Sequence, residues 1–561
     1  MEKFLSKINK ETIVPIKEKI IAIIPARGGS KGIFRKNIRL LAGKPLIAYI
    51  LETAKRSKYL QRIIVSTEDH EIAETARRFG AEVLIRPKKL SGDEIPLDPV
   101  IHDVLQKLER KGYFPTIIVT LQPTSPTLKV ETLDQAIEKL IDEKLDTVIS
   151  VKDATHIYWI EKGGNFSPLY EERKNRQLLP KILKETGSIL ASRRQAINED
   201  SRIGENISFL YLSAEEAIDI DSPMDWWLTE KILSRKKIVF RVDGYRKIGL
   251  GHIYRALTLA QRIMDHRVIF LMDSRYPLGI SIVKQSHQEI VTFKGDSIPV
   301  IETLNSDILI NDILDTDVQY MQSLKRLGKF VVNFEDLGEG AQYANLVINA
   351  LYESPMPYTN HLWGPDYVCL RDEFYSIKKE KLRPEVKSIL ITFGGVDEGN
   401  LTCKVLSALD KCEADFKVTV ILGLGYIHDS SLSQFLANSK MNCQIRKNVK
   451  FISKYMAKAD IVYTSCGRTV YEVAAVGTPC IALAQNDREM GHLYANINNG
   501  IINLGLGKTV EEKKITEVTE ELINKPHLRL EMQKKMQRHD LKSGIDRVLE
   551  AMFHHYYEFR K

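Results

Sequence analysis

A glycine-rich loop that carries two cations follows the first apolar run of the chain. Residues 20–24 are aliphatic and mostly β-branched, which is typical of a strand buried on both faces. Pro25 ends the run, and the loop 26–32 then places Arg27 and Lys31 among three glycines. Glycines let backbone N–H groups approach a ligand, and the cations add charge there. The pattern predicts a site for a phosphate-rich anion, although an ordinary turn with two solvated cations shares it.

Two aspartates near the end of the first half could hold a metal ion. Asp219 and Asp221 alternate in an extended segment, which puts both carboxylates on one face. A hard cation such as Mg²⁺ is commonly held by one or two carboxylates together with substrate phosphates. The pair therefore predicts a Mg²⁺ site. Asp221 could also serve as the N-cap of the helix that follows, and this role is compatible with metal binding.

The second half contains a candidate base and a second candidate phosphate loop. His252 follows Gly249 and Gly251 at the start of a predicted helix 253–264, where the helix dipole favours a neutral imidazole that can act as a base. A histidine that only caps the helix has the same spacing. The other loop, whose hydroxyls and amides suit a diphosphate, is followed by a carboxylate that could bind ribose or simply be solvated. The residues concerned are Ser465, Gly467, Thr469 and Glu472.

Alternating strands and helices must position these groups. The first half predicts strands at 62–66, 82–85, 116–121, 147–151 and 208–212. It predicts helices at 70–79, 130–143 and 38–55, the last of which is interrupted near its start by residues 43–45. Such alternation implies a parallel sheet with helices on both faces and ligands at the carboxyl ends of the strands. The less regular segment 152–205 predicts a hairpin or lid that supplies acceptor contacts or a dimer surface.

The same alternation continues after a boundary at residues 234–237. Apolar runs predict two further sets of strands, which begin at residues 238 and 388. We therefore predict an α/β protein with an N-terminal Rossmann-like domain (1–234) and two further Rossmann-like lobes (235–385 and 386–561).

Composition narrows the possible classes of protein. Hydrophobic residues make up 43% and charged residues 27% of the 561 positions, as in average soluble domains. The net charge of +8 comes from 81 basic and 73 acidic residues, a small excess that does not indicate nucleic-acid binding. The six cysteines form no CxxC pair, and we read no signal peptide or membrane span in the sequence. We expect a cytoplasmic protein with reduced thiols.

Residues 18–233 resemble the acylneuraminate cytidylyltransferases, the CMP-sialic acid synthetases. Four runs carry the resemblance in order: IPARGGSKGIFRKN, VSTEDHEIAE, LQPTSP and IDIDSPMDW. It implies transfer of CMP from CTP to a nine-carbon 2-keto sugar acid of the sialic or pseudaminic type, with release of pyrophosphate, and a homodimer formed through this domain. By matching position, Arg27 and Lys31 would hold the triphosphate and act in catalysis together with Asp221. Other implied roles are nucleotide binding by Asn37 and Arg86, sugar-acid binding by Gln122, Arg176 and Lys184, and Mg²⁺ binding by Asp219 and Asp221.

Residues 237–525 resemble the UDP-sugar hydrolase of pseudaminic acid synthesis and, more distantly, glycosyltransferases of the B type. The runs are FRVDGYRKIGLGHIYRALTLA, ITFGGVDEGNLT and ADIVYTSCGRTVYEVAAVGTP. The resemblance implies that His252 activates water for attack on the anomeric carbon of a UDP-linked diacetamido-trideoxy sugar. It also implies that Asp243 and Arg255 contact the substrate. The chain departs from the family at residues 311–313, which read Asn-Asp-Ile instead of Asp-His-Tyr.

Three hypotheses for the whole chain follow. The first is a bifunctional enzyme that hydrolyses a UDP-sugar and activates the derived nonulosonic acid with CTP. The second is a cytidylyltransferase whose second half only binds a sugar nucleotide. The third gives the second half glycosyltransferase activity. The first is favoured by His252 and Glu472, and the second by the departure at residues 311–313.

Overall fold

The computed structural model describes residues 18–245, 249–352, 359–379 and 381–561. Residues 246–248, part of the predicted turn before His252, lie outside the described residues. The chain divides into two compact units, Met1–Arg235 and Lys236–Lys561. The predicted α/β fold class is confirmed, since each unit is built on sheets flanked by helices.

The first unit is organised around a mixed sheet whose described strands follow the order β11-β7-β10-β6-β1-β4-β5. Strand β1 is buried along its whole length and pairs in parallel with β4 and β6. The strands are β1 Ile20–Pro25, β2 Leu40–Leu41, β3 Lys44–Pro45, β4 Arg62–Thr67, β5 Glu82–Ile85, β6 Ile117–Leu121, β7 Thr147–Asp153, β8 Trp159–Lys162, β9 Asn165–Pro168, β10 Leu183–Arg193 and β11 Ile207–Tyr211. The helices are α1 Leu46–Arg56, α2 His70–Arg78, α3 Leu97–Arg110, α4 Val130–Asp142 and α5 Pro223–Leu233.

Strand β10 corrects the prediction of a purely parallel sheet. It runs antiparallel to both of its neighbours, β6 and β7, and lies inside the segment predicted as an excursion. Its first half is polar, with Thr186 and Ser188 buried on it, so it lacks the continuous apolar run that identifies a central strand. The predicted hairpin is present before it, as β8 and β9.

The first helix is shorter than its periodicity predicts. Residues 38–45, predicted as helical, form a 3₁₀ turn and the β2–β3 hairpin, and α1 begins only at Leu46. Ala42 and Gly43 both have positive φ (44° and 86°), which an α-helix does not tolerate. The hairpin therefore separates the glycine-rich loop from α1.

The second unit contains two parallel sheets with the same topology. The described strand orders are β14-β13-β12-β15-β16-β17-β18 and β21-β20-β19-β22-β23-β24. In each sheet the first six strands follow the order 3-2-1-4-5-6 of Rossmann folds, in which ligands bind where the order reverses. These switch points lie between β12 and β15 in the first lobe and between β19 and β22 in the second.

The first strands of the two sheets, β12 and β19, begin at or next to the predicted starts at residues 238 and 388. The strands are β12 Lys237–Val242, β13 Arg267–Asp273, β14 Glu289–Phe293, β15 Ile308–Asp312, β16 Phe330–Phe334, β17 Leu346–Asn349, β18 His361–Trp363, β19 Ser388–Thr392, β20 Lys417–Leu422, β21 Cys443–Lys447, β22 Ile461–Ser465, β23 Cys480–Ala484 and β24 Ile501–Leu506. The helices are α6 Gly251–Arg262, α7 Pro277–Gln285, α8 Ile298–Leu304, α9 Val318–Arg326, α10 Leu401–Leu409, α11 Asp429–Asn438, α12 Ile452–Lys458, α13 Thr469–Val476, α14 Asp487–Met490, α15 Glu512–Asn524, α16 Pro526–Met536 and α17 Gly544–Phe559.

The last helix belongs to the first of the two lobes. The prediction assigned residues 386–561 to one lobe, but α17 packs on the core of the first lobe. Its buried face is formed by Ile545, Val548, Met552 and Tyr556, which recur at helical spacing. The chain thus returns to the first lobe after completing the second. No helix within the described ranges is long and apolar enough to cross a membrane.

Candidate functional sites

The carboxyl ends of β1 and β6 open onto one cavity of about 370 Å³, here called cavity A. Because these strands are parallel neighbours, the residues that follow them meet at the same edge of the sheet. Cavity A is lined by six of the residues predicted from the sequence to act in the first unit: Arg27, Lys31, Asn37, Arg86, Gln122 and Asp221.

Both loop cations are held by one carboxylate that the sequence analysis missed. Arg27 Nη1 lies 2.7 Å from Asp93 Oδ1, and Lys31 Nζ lies 2.6 Å from Asp93 Oδ2. Lys31, through its hydrogen bond, and then Arg27 lower the pKa of Asp93. Asp93 is about 60 residues away along the chain, so the sequence contained no local signal for this contact.

Asn37 and Arg86, the other predicted nucleotide-binding residues, hold the glycine-rich loop in place. The Gly28 amide donates to Glu68 Oε1 at 2.8 Å, and Arg86 Nε donates to Glu68 Oε2 at 2.9 Å. Burial raises the pKa of Glu68, but the bonds from Gly28 and Arg86 hold it below its ordinary value. Asn37 Nδ2 donates to the Arg27 carbonyl at 2.9 Å. Asn37 and Arg86 thus fix the loop that presents the two cations.

Asp219 and Asp221 have carboxylate oxygens that are available to bind a metal ion. Asp219 Oδ1 is buried and has no hydrogen-bond partner within the described chain. Burial and then the charge of Asp221 raise the pKa of Asp219, while Thr124, Lys36 and Lys184 partly offset this rise. Asp221 is exposed and lies 3.1 Å from Lys36 Nζ. An unpaired carboxylate oxygen beside a second carboxylate fits a hard cation such as Mg²⁺.

Further oxygens would be needed to complete such a site. No group of three His, Cys, Asp or Glu side chains arranged for a metal occurs among the described residues. The alternative role predicted for Asp221 is wrong, because the N-cap of α5 is Ser222, which forms a capping box with Asp225. Asp221 is therefore not needed to cap the helix.

Of the three residues expected to face the sugar acid, the structure places one in the lining of cavity A. Gln122 lines cavity A and packs on Gly187, where an added Cβ would meet Gln122 Nε2 at 2.8 Å. Arg176 lies in an exposed 3₁₀ turn, and Lys184 is exposed on β10. Both are described by the structure, yet neither lines cavity A.

In the second unit, His252 is bound to an aspartate at the switch point of the first lobe. Its Nδ1 hydrogen-bonds Asp312 Oδ1, which ends β15. Arg255 donates to the same carboxylate from Nε at 2.7 Å and from Nη2 at 2.6 Å, and to Glu335 at 2.7 Å. Burial raises the pKa of Asp312, but Arg255 and His252 bring it far below its usual range. In the neutral ring, an Nδ1 proton donated to the ionised Asp312 leaves His252 Nε2 as the acceptor nitrogen.

His252 and Arg255 line a second cavity of about 530 Å³, here called cavity B. The end of β22 and the start of α13 line the same cavity, with Ser465, Gly467 and Thr469. The predicted base and the predicted phosphate loop are therefore brought together. Asp243 is not among the residues that line cavity B in the described chain. It lies 2.7 Å from Arg241 and accepts from the Asp273 amide at 3.0 Å.

Glu472 lines a neighbouring cavity of about 140 Å³, here called cavity C. Its Oε1 accepts from Arg371 Nε at 3.0 Å, and its side chain is only 15% exposed. The solvated alternative for Glu472 is therefore wrong. Arg371 also pairs with Glu373 at 2.9 Å, so a half-buried cation fixes the orientation of the carboxylate expected to bind ribose.

A further carboxyl in cavity B, Glu489, was missed. It lies on the short helix α14, and burial raises its pKa to about 7 although the Gln485 amide donates to it at 2.8 Å. A carboxyl with this pKa can carry or release a proton near neutral pH. Its signal in the sequence was weak, since Asn486–Met490 reads as an ordinary capped turn.

Comparison with known proteins matches part of each unit to a different family. The profile of the cytidylyltransferase family matches residues 21–213, and that of the glycosyltransferase family 28 C-terminal domain matches residues 388–548. An uncharacterized protein of Methanocaldococcus jannaschii is 31% identical over 271 residues, which cover 45% of this chain and 56% of that protein. The crystal structure of Acinetobacter baumannii MurG aligns with 56% of this chain and 99% of its own, at 15% identity and a TM-score of 0.43.

A further relative is matched over almost its whole length. The CMP-N,N′-diacetyllegionaminic acid synthase of Legionella pneumophila is 38% identical over 227 residues, which cover 38% of this chain and 96% of that protein. Through its first unit, the chain belongs to the cytidylyltransferase family.

Proposed function

We propose that the first unit transfers CMP from CTP to a nonulosonic acid and releases pyrophosphate. The observation that carries this proposal is the convergence of Arg27, Lys31 and Asp221 on one cavity, with the unpaired oxygen of Asp219 close by. The name of the Legionella relative, a CMP-diacetyllegionaminic acid synthase, supports an acceptor of this class.

The proposed reaction assigns separate tasks to these residues. The hydroxyl oxygen of the sugar acid forms a bond to the α-phosphorus, the bond from that phosphorus to the bridging oxygen breaks, and the hydroxyl proton passes to solvent water. Arg27 and Lys31 bind the departing pyrophosphate and neutralise its charge, which is the main task in this chemistry. Gln122 orients the acceptor. Asp219 and Asp221 would hold Mg²⁺ together with phosphate oxygens, and this ion would supply further charge neutralisation.

The direct test is to incubate the purified full chain with CTP, Mg²⁺ and single nonulosonic acids. Pyrophosphate release and the mass of a CMP-sugar product would be measured together. We expect both with at least one acid of the sialic, legionaminic or pseudaminic type. Release of pyrophosphate at the same rate without any acid, or no product with any of them, would contradict the proposal.

For the second unit we propose hydrolysis of a UDP-linked diacetamido-trideoxy sugar. The specific observation in its favour is the His252–Asp312 hydrogen bond beside the phosphate loop of cavity B. His252 Nε2 takes a proton from water, the water oxygen bonds to the anomeric carbon, and the bond from that carbon to the phosphate oxygen breaks, so that UDP leaves. UDP release in water alone supports hydrolysis. Release only with an added sugar acceptor favours a glycosyltransferase, and binding without release favours a binding module.

We also propose that the chain forms a homodimer through the first unit. Edge strand β11 exposes Ile207, Phe209 and Tyr211 on one face, and the β8–β9 hairpin exposes Trp159 and Phe166. Exposed apolar side chains on a sheet edge favour pairing with a second copy. Light scattering of the purified protein would test this, and Phe209→Lys should shift a dimer towards monomer.

A further inference from the structure

Asp93 is the shared partner of the two cations that the phosphates of CTP would need. Each of its carboxylate oxygens lies within 2.7 Å of one cation, Arg27 on one side and Lys31 on the other. It thus makes the pair of contacts that two phosphate oxygens would make. The Gly92 carbonyl, next to Asp93, accepts from Arg27 Nη1 at 3.4 Å.

The remaining cations of cavity A are also paired. Lys36 lies 3.1 Å from Asp221, and Arg86 lies 2.8 Å from Glu68. Every cation that lines cavity A is therefore paired with a carboxylate of the described chain. A polyphosphate must exchange with at least one of these carboxylates to gain direct contacts.

Asp93 is the carboxylate that we expect a polyphosphate to displace. Glu68 is tied to the Gly28 amide and to the guanidinium of Arg86, whose side chain is only 3% exposed. Asp93 instead lies on the connecting segment 91–96, between a 3₁₀ turn and α3, and its side chain is 33% exposed. Lys31 is 84% exposed. Exposed ion pairs of this kind are weak and break easily.

We propose that Asp93 competes with the polyphosphate for Arg27 and Lys31, and so sets the affinity of cavity A for CTP and pyrophosphate. This inference rests on the proposed cytidylyltransferase function of the same site. Before binding, Asp93 holds the two cations together. On binding, phosphate oxygens replace it and segment 91–96 moves away. After transfer, Asp93 returns to the cations and displaces pyrophosphate.

The alternative role for Asp93 predicts the opposite sign. If Asp93 only preorganised Arg27 and Lys31, its removal would leave the cations poorly placed, and polyphosphate binding would weaken. If it competes, its removal frees both cations and binding strengthens. The loss of two weak ion pairs corresponds to a gain in affinity on the order of three- to tenfold.

The test is calorimetric titration of the full chain with inorganic tripolyphosphate and with pyrophosphate, for the wild type, Asp93→Asn and Glu94→Gln. Glu94 is the control, because it removes the same charge from the same segment but lies outside cavity A in the described chain. We expect Asp93→Asn to bind both probes three- to tenfold more tightly than the wild type, and Glu94→Gln to change the affinity by less than twofold.

Three results would overturn the inference: unchanged affinity of Asp93→Asn, weaker affinity, or an equal gain in both variants, which would reflect net charge alone. A thermal melt of each variant checks that it is folded. Because the probes bind without any transfer reaction, this experiment gives its answer even if the chain transfers no CMP. Inhibition of CMP transfer by pyrophosphate should be correspondingly stronger in Asp93→Asn.

Discussion

His252 and Asp312 are joined by a hydrogen bond through Nδ1 of the imidazole, at the segment where the sequence departs from the hydrolase family that it resembles. Asp312 is the central residue of that departure at 311–313. Where the motif of that family has a histidine, this chain has a buried carboxylate that holds the His252 ring. The departure therefore does not remove the means for base catalysis in cavity B.

His252→Asn should lower the release of UDP from the UDP-sugar substrate about a hundred- to ten-thousand-fold, the usual contribution of a general base. The predicted alternative that His252 only caps the helix is wrong, because the N-cap of α6 is Leu250, so the substitution leaves the cap unchanged. UDP release would be measured by a coupled assay. His287→Asn is a suitable control, because His287 has φ of 54°, which asparagine tolerates well. Equal activity of His252→Asn and wild type would remove His252 from the base role.

Arg27→Ala should slow CMP transfer. If Arg27 acts as one preorganised donor, its loss should raise the activation free energy by about 3 kcal/mol. The loss should appear in kcat, because the charge on the leaving pyrophosphate develops only during the reaction. Steady-state kinetics with varied CTP would separate kcat from KM. A normal kcat with a raised KM would instead make Arg27 a ground-state binding residue.

Asp221→Asn should abolish CMP transfer at limiting Mg²⁺ and leave the fold largely intact. The substitution removes charge at constant volume, and the N-cap of α5 is retained because Ser222 provides it. Pyrophosphate release would be followed during a Mg²⁺ titration, with a thermal melt of the same sample. A variant that keeps most of its activity at limiting Mg²⁺ would exclude Asp221 from metal binding.

Glu489→Gln should change how the stability of the second unit depends on pH. The pKa of Glu489 is raised to about 7 in the folded protein, whereas an unfolded glutamate titrates near 4.3. Between these values the folded state binds more protons, so stability falls as the pH rises, by about 3 to 4 kcal/mol in total. The variant should lose this slope between pH 4.5 and 7. Chemical denaturation at several pH values, followed by circular dichroism, would show whether the two curves differ.

The sequence predicted the candidate sites best where a functional residue follows a buried apolar strand. Buried apolar runs located β1, β6, β12 and β22, and the chain at or after their carboxyl ends holds Arg27, Gln122, His252 and Ser465. The polar partners of these residues could not be predicted from the sequence. Asp93, Asp312 and Glu489 each act through tertiary contact or burial, and nothing in their neighbouring residues marks them.

Failures in the fold have related causes. Strand β10 was missed because its buried face includes Thr186 and Ser188, whose hydroxyls bond to Ser150 and Ser125 inside the sheet. The C-terminal helix was assigned to the wrong lobe because an apolar stripe at helical spacing shows that a helix is buried but not on which core. Lobe membership is set by where the chain returns in space.

Because β10 runs antiparallel to β7, the segment 154–182 between them forms a separate insert in the fold. Leu183 at the start of β10 pairs with Asp153 at the end of β7, so residues 154–182 leave the sheet and re-enter it at adjoining points. The entropy of closing this loop therefore depends only weakly on its length. Evolution, or an engineer, can lengthen, exchange or replace this insert by a tight turn while Gln122 and Gly187 keep their places in the sheet. The acceptor side of such a protein can diversify without rebuilding its nucleotide side.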